Sequence, residues 1–265
     1  MEKIFRFAAR RPALFRILPC LFPALPLAVM LISLEVPTWI AIACIAAVLY
    51  PFFIIPKLSE FFLMNPKIKV LNQECDPIPL LEITSFLLTC RQSPAYRITT
   101  SMNHAVALRD LGSCEEALRI MENIDLSRPR RIPAMVKFVY YHNWSDFLDH
   151  SGRMDEADAM HRTAMEFYDA IPRKQKSALE NTVCFSRASA LCRHGSFTEA
   201  VALLRDMNCA NLRQQVERGM LLARCSIALG QSPRAREWLQ YIIDHGNRLH
   251  MVSQARKMLE DLENS

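Results

Sequence analysis

Four times along the chain a glycine is followed, five positions on, by an alanine: Gly112 and Ala117, Gly152 and Ala157, Gly195 and Ala200, Gly230 and Ala235. The register extends beyond these two positions. Seven residues before each glycine stands a small side chain, Ala105, Ser145, Ala188 or Ala223, and four before it stand Leu108, Leu148, Leu191 and Ser226. Nine after it come Met121, His161, Leu204 and Leu239. Such a repeat describes two helices joined by a tight turn. Glycine ends the first helix in the left-handed conformation without a Cβ penalty, the small residues let the two helices approach, and the larger ones are buried between neighbouring units. The chain has six glycines and none precedes Gly112. That scarcity argues against a fold rich in sheet and turns, which would spend glycine on its connections. The expected fold class is all-α.

The pattern resembles the tetratricopeptide repeat, a 34-residue helix-turn-helix unit, with Trp144, Ser145, Leu148, Gly152 and Ala157 among the best-matched positions. Successive glycines lie 40, 43 and 35 residues apart, so only the last spacing is near the family period. The extra residues are expected around Arg128 to Pro133 and Pro172 to Lys176. After Gly246, Leu249, Val252, Ala255, Met258, Leu259 and Leu262 share one face of an expected capping helix. The resemblance covers roughly residues 95 to 262. It implies a TPR-like α-solenoid of about four helical hairpins, whose members mostly bind proteins or peptides without catalysis.

By the same resemblance, the first helix of each hairpin faces a concave groove. The positions implied there are Met102, Val106 and Arg109, then His142, Asp146 and Asp149, then Phe185, Ser189 and Arg193, and last Glu217, Met220 and Arg224. Apolar side chains among separated charges fit an extended peptide or a partner helix. The Lys/Asn clamp that some family members use for a terminal carboxylate does not occur at these positions.

Residues 17 to 56 contain one charged side chain, Glu35, with 18 uncharged residues before it and 21 after it. About 20 apolar residues cross a ~30 Å hydrocarbon core as helix, so the stretch reads as a two-helix membrane hairpin, about 17–34 and 37–56. Pro19, Pro23 and Pro26 disturb the first half, and a re-entrant hairpin is the alternative to a full crossing. Residues 1 to 69 carry eight Lys/Arg against three acids. Bases flanking both spans place the N-terminus (1–16), the junction (57–76) and the repeat domain (77–265) in the cytoplasm, as in bacterial cytoplasmic membranes. A cleaved signal peptide fits poorly, because the apolar region is too long and lacks a cleavage site. Phe61, Phe62, Leu63 and Met64 suit either lipid headgroups or packing on the repeats.

Beyond residue 69 the chain holds 24 basic and 24 acidic residues. The basic balance therefore belongs to the membrane flanks and does not suggest nucleic acid as a partner. The nine cysteines contain no C-x2-C, which is consistent with a reduced compartment; Cys114, Cys192 and Cys225 read as buried packing thiols. No zinc helix motif, P-loop or glycine-rich phosphate loop occurs, so no enzyme activity, cofactor or metal is expected. The function expected is a membrane-anchored scaffold that binds a protein or peptide segment. A ligand-responsive membrane sensor and an accessory subunit of a membrane complex are the alternatives, and the bilayer is the second partner, through residues 17–56.

Overall fold

The structure, a computed structural model, describes residues 2–12, 14, 25–34, 36–127 and 132–264. Every regular element among them is helical. The helices are α1 (Glu2–Arg10), α2 (Leu25–Ser33), α3 (Thr38–Glu74), α4 (Ile78–Leu88), α5 (Pro94–Asp110), α6 (Cys114–Glu122), α7 (Ala134–His150), α8 (Met154–Asp169) and α9 (Arg173–Lys176). A 3-10 turn at Ser177–Leu179 leads to α10 (Glu180–Arg193), followed by α11 (Phe197–Arg205), α12 (Leu212–Ala228), α13 (Ser232–His245) and α14 (His250–Glu263).

The chain divides into two compact units, one of residues 1–67 and 85–92, the other of residues 68–84 and 93–265. In the first, α1 is tied down from both ends of its polar face. Glu2 pairs with Arg6 at 2.8 Å, one turn along, and with Lys67 at 3.8 Å. Phe5 stacks on Phe62 at 5.1 Å and the Arg6 guanidinium lies over the Phe86 ring, while Ala8 and Ala9 are buried.

The two-span membrane localisation is overturned. Among the described residues no helix is long and apolar enough to cross a membrane. The helix in the first expected span, α2, has nine residues, a rise of about 13 Å, less than half of the ~30 Å core. The second expected span lies within α3, which does not stop at its end. That helix continues to Glu74 past Lys67 and Lys69, so residues 57–74 are helix. Residues 17–24, Glu35 and 128–131, on which other sequence expectations fall, lie outside the described residues.

The second unit is built from helix pairs: α5 with α6, α7 with α8, α10 with α11 and α12 with α13. The four repeat glycines end α5, α7, α10 and α12 with φ between 68° and 93°. Each ending has the same two hydrogen bonds. For the first, Ser113 N–H donates to the Leu108 carbonyl at 2.9 Å and Gly112 N–H to that of Arg109 at 2.9 Å, and the same bonds recur at Arg153, Ser196 and Gln231. This is the Schellman arrangement, which satisfies the last carbonyls of the helix and turns the chain back. The alanines five residues later are fully buried, as are Ala105, Ala188 and Ala223. Ser145 takes the small position in the second pair, and its hydroxyl donates to the Ala157 carbonyl at 2.8 Å, a bond possible only because α7 and α8 run close together.

Each pair is packed on the next. Met121, Tyr140 and Phe147 share one apolar cluster between the first and second pairs, and Tyr140 O–H donates to the Met121 carbonyl at 3.0 Å. Phe138, Ala164 and Val183 join the second pair to the third, and Phe185, Leu204 and Leu221 join the third to the fourth. The extra length between the second and third glycines is taken up by α9 and the 3-10 turn. Beyond the fourth pair, α14 buries Met251, Val252 and Ala255 and touches both α13 and α5. Asn247 and Arg248, just before it, bond to the carbonyls of Glu74 and Cys75 at 2.7 and 3.3 Å. The two ends of the second unit therefore meet.

Candidate functional site

Because the ends meet, the first helices of the pairs face one another across a narrow interior. Arg109, at the end of α5, is only 3% exposed. Its guanidinium donates to Asp110 at 2.8 Å, to Asp146 on α7, and lies 3.5 Å from Glu217 on α12. Asp110 is in turn held by Arg213 of α12, at 2.8 and 3.2 Å to its two oxygens. The first pair is thus joined to the fourth by ion pairs between residues more than a hundred positions apart. A second group lies toward α10. There Arg193 donates to Asp158 at 2.7 Å and lies 3.5 Å from Asp149.

Distance decides which carboxylates gain from this burial. Desolvation raises a buried acid's pKa and a nearby guanidinium lowers it. At Asp110 burial is outweighed by Arg213 and Arg109, and at Asp146 by Arg109, and both are held below the usual aspartate range. At Asp149 burial wins over the more distant Arg193, and its pKa is raised. Burial keeps His150 and His142 below the ordinary imidazole value. The Nδ1–H of His150 donates to the Asp146 carbonyl at 2.8 Å, which uses the neutral ring.

Beside this network lies a cavity of about 150 Å³ to which α5, α7, α10 and α12 all contribute. Its apolar wall includes Val106, Val139 and Phe185; its polar wall includes His142, Asn143, Thr182 and Gln214. A smaller cleft of about 20 Å³ is lined by Asp149, Ser189, Met220 and Arg224.

Of the groove positions implied by the sequence, Val106, His142, Asp146, Phe185 and Glu217 meet at the larger cavity, while Arg109, Asp149, Ser189, Met220 and Arg224 meet at the smaller one. Arg193 is 4% exposed and occupied by its two aspartates. Met102 is 6% exposed and packs in the core with Ile98 and Leu118 rather than lining either space. Arg213, Asp110, Asn143 and Thr182 were missed. The signal for Arg213 is its place one helical turn before Glu217, on the same stripe of α12. Among the described residues no group of three His, Cys, Asp or Glu is placed to hold a metal ion. Compared with known proteins, the chain matches no family model, no curated protein and no solved structure.

Proposed function

We propose that residues 93–265 are a TPR-like α-solenoid of four helical hairpins capped by α14, and that the protein works by binding a protein segment, one of whose side chains anchors in the interior cavity. The observation that carries this reading is the cavity of about 150 Å³ assembled from the first helices of all four pairs. It is smaller than the roughly 300–1,000 Å³ of pockets that enclose a whole small-molecule ligand, and suits one anchoring side chain. The repeated helix endings and the buried alanines support the solenoid. A non-catalytic role is supported by the carboxylates. Asp110, Asp146 and Glu217 are committed to Arg109 and Arg213, which leaves them poor general bases. The charges that would have gripped a peptide are turned inward, so affinity on this reading comes from the anchor.

The test is selection from a displayed random peptide library against the full chain, followed by titration with the selected peptides. Selected sequences should converge on one fixed residue, and Asn143→Phe, which fills the cavity, should weaken binding at least tenfold while leaving helicity and melting temperature in place. Peptides that show no common residue, or that bind the filled variant equally well, overturn the reading.

A further inference from the structure

Cys192 near the end of α10 and Cys225 near the end of α12 bring their sulfur atoms to 3.3 Å across the contact between the third and fourth pairs. Both thiols are free. We propose that Cys192 and Cys225 form a dithiol modification site, which a hydroperoxide oxidises to a disulfide that staples α10 to α12.

Geometry comes first. A disulfide needs its sulfurs about 2.05 Å apart, so the two atoms must approach by roughly 1.3 Å, a movement on the scale of a side-chain rotation. The helices carrying them are already in contact, and each cysteine lies in the last turn or two before a repeat glycine: Cys192 stands three residues before Gly195, and Cys225 five before Gly230. One lies a turn from Ser189 and the other next to Arg224, both of which line the smaller cleft. The staple would fix the helix spacing there.

The pair is also electrically asymmetric. With Cys192 as the donor of this bond, a thiolate on Cys225 is favoured, and the Arg224 charge adds to this against the cost of burial, so the Cys225 pKa is lowered. That of Cys192 is raised by the same bond and by burial. The thiolate is the form that attacks an oxidant. Cys225 is fully buried and Cys192 half-buried, which favours a small oxidant over a bulky disulfide.

With hydrogen peroxide, the Cys225 thiolate attacks one oxygen and the O–O bond breaks, leaving a sulfenic acid on Cys225 and hydroxide. Cys192, giving its proton to that hydroxide, attacks the Cys225 sulfur. The S–S bond forms as the S–O bond breaks, and the departing hydroxide takes up the proton that Cys225 released on forming its thiolate, giving a second water. Two thiols and one peroxide become one disulfide and two waters, with two electrons passing from sulfur to oxygen.

The experiment is peroxide titration of the full reduced chain, followed by alkylation of remaining thiols in denaturant and mass mapping. The expected product has lost two hydrogens, carries seven alkylated cysteines of the nine, yields one linked peptide containing Cys192 and Cys225, and returns to nine on reduction. Amide exchange in α10 and α12 should slow severalfold in the oxidised chain. In Cys192→Ser the sulfenic acid should persist on Cys225 and be trapped by dimedone. Full alkylation after peroxide, or linkage through any other cysteine, overturns the proposal; because the mapping is done on the unaltered chain, it does not depend on the variant's folding.

Discussion

Arg109 shows why burial, more than distance, sets the worth of an ion pair in this chain. Its contact with Asp110 and the exposed contact of Arg153 with Glu156 are similarly short, at 2.8 and 2.6 Å. Removing one member of a buried pair leaves the others charged and unsolvated, a loss of about 3–5 kcal/mol, whereas an exposed pair is screened by water and salt. Arg109→Met should therefore lower stability by about 3–5 kcal/mol in urea unfolding, because Asp110, Asp146 and Glu217 lose a shared partner. Arg153→Ala should leave the urea midpoint where it was. Equal effects would mean that the interior is wetter than its geometry indicates. The histidines give the pH dependence. Burial lowers His104, His142 and His150, and brings His161, which also faces Arg193, to about 4. An imidazole depressed in the fold is neutral there and takes up a proton on unfolding, so its contribution is present above about pH 6.5 and is lost as pH falls toward the folded value. Asp110 and Asp146, also depressed, hold their contribution down to about pH 4 and lose it only below. Thermal melts at pH 7.5, 6.0 and 5.0 should thus fall well before the carboxylates titrate, by about 1.4 kcal/mol per pH unit for each proton taken up. A flat profile over that range would show the imidazoles to be solvated.

The repeat glycines differ at the scale of the helix ending. All four have positive φ, and an L residue in that conformation costs roughly 1–2 kcal/mol. At Gly152 an added Cβ meets nothing within 4 Å, whereas at Gly112 it would lie 2.6 Å from His250 Nδ1 and 2.8 Å from its Cγ. Gly152→Ala should therefore cost about 1–2 kcal/mol and Gly112→Ala distinctly more, since it also pushes α14 from the end of α5. The order of the two urea midpoints checks this, and a reversal would place the closing contact elsewhere. These endings were legible in the sequence because a helix that stops in the left-handed conformation favours glycine, and the same turn occurs four times. The burial of Ala117, Ala157, Ala200 and Ala235 was legible for the same reason. The partners of Arg109 were not. Spacing along α5 places it on the inner stripe, but its pairing with Glu217 depends on how far four helix pairs curl, which no local pattern encodes. The apolar run at 17–56 misled in the opposite way. Its composition matched a pair of spans, while the described helices there are a nine-residue α2 and an α3 that runs on past the lysines.

Closure changes how the second unit should come apart. In a linear array each repeat touches only its neighbours, stability is a sum of local terms, and the ends fray first. Here Asp110 of the first pair holds Arg213 of the fourth, Arg109 reaches Glu217, and α14 touches α5. Unfolding a terminal pair therefore breaks contacts at both ends of the unit and strands buried charges in the pair left behind. That couples the pairs. Native-state amide exchange resolves opening helix by helix, and the slowest amides of α5, α7, α10 and α12 should share one opening free energy within about 1 kcal/mol. Arg213→Ala removes the bidentate grip on Asp110 without touching the apolar clusters between neighbouring pairs. In that variant the common value should split, with α5 and α12 opening at lower free energy than α7 and α10. A graded series already present in the unaltered chain would mean that the closing ion pairs contribute little and that the four pairs behave as an open array. If the values are shared and then split, the same contacts that close the cavity also make its four walls a single cooperative structure.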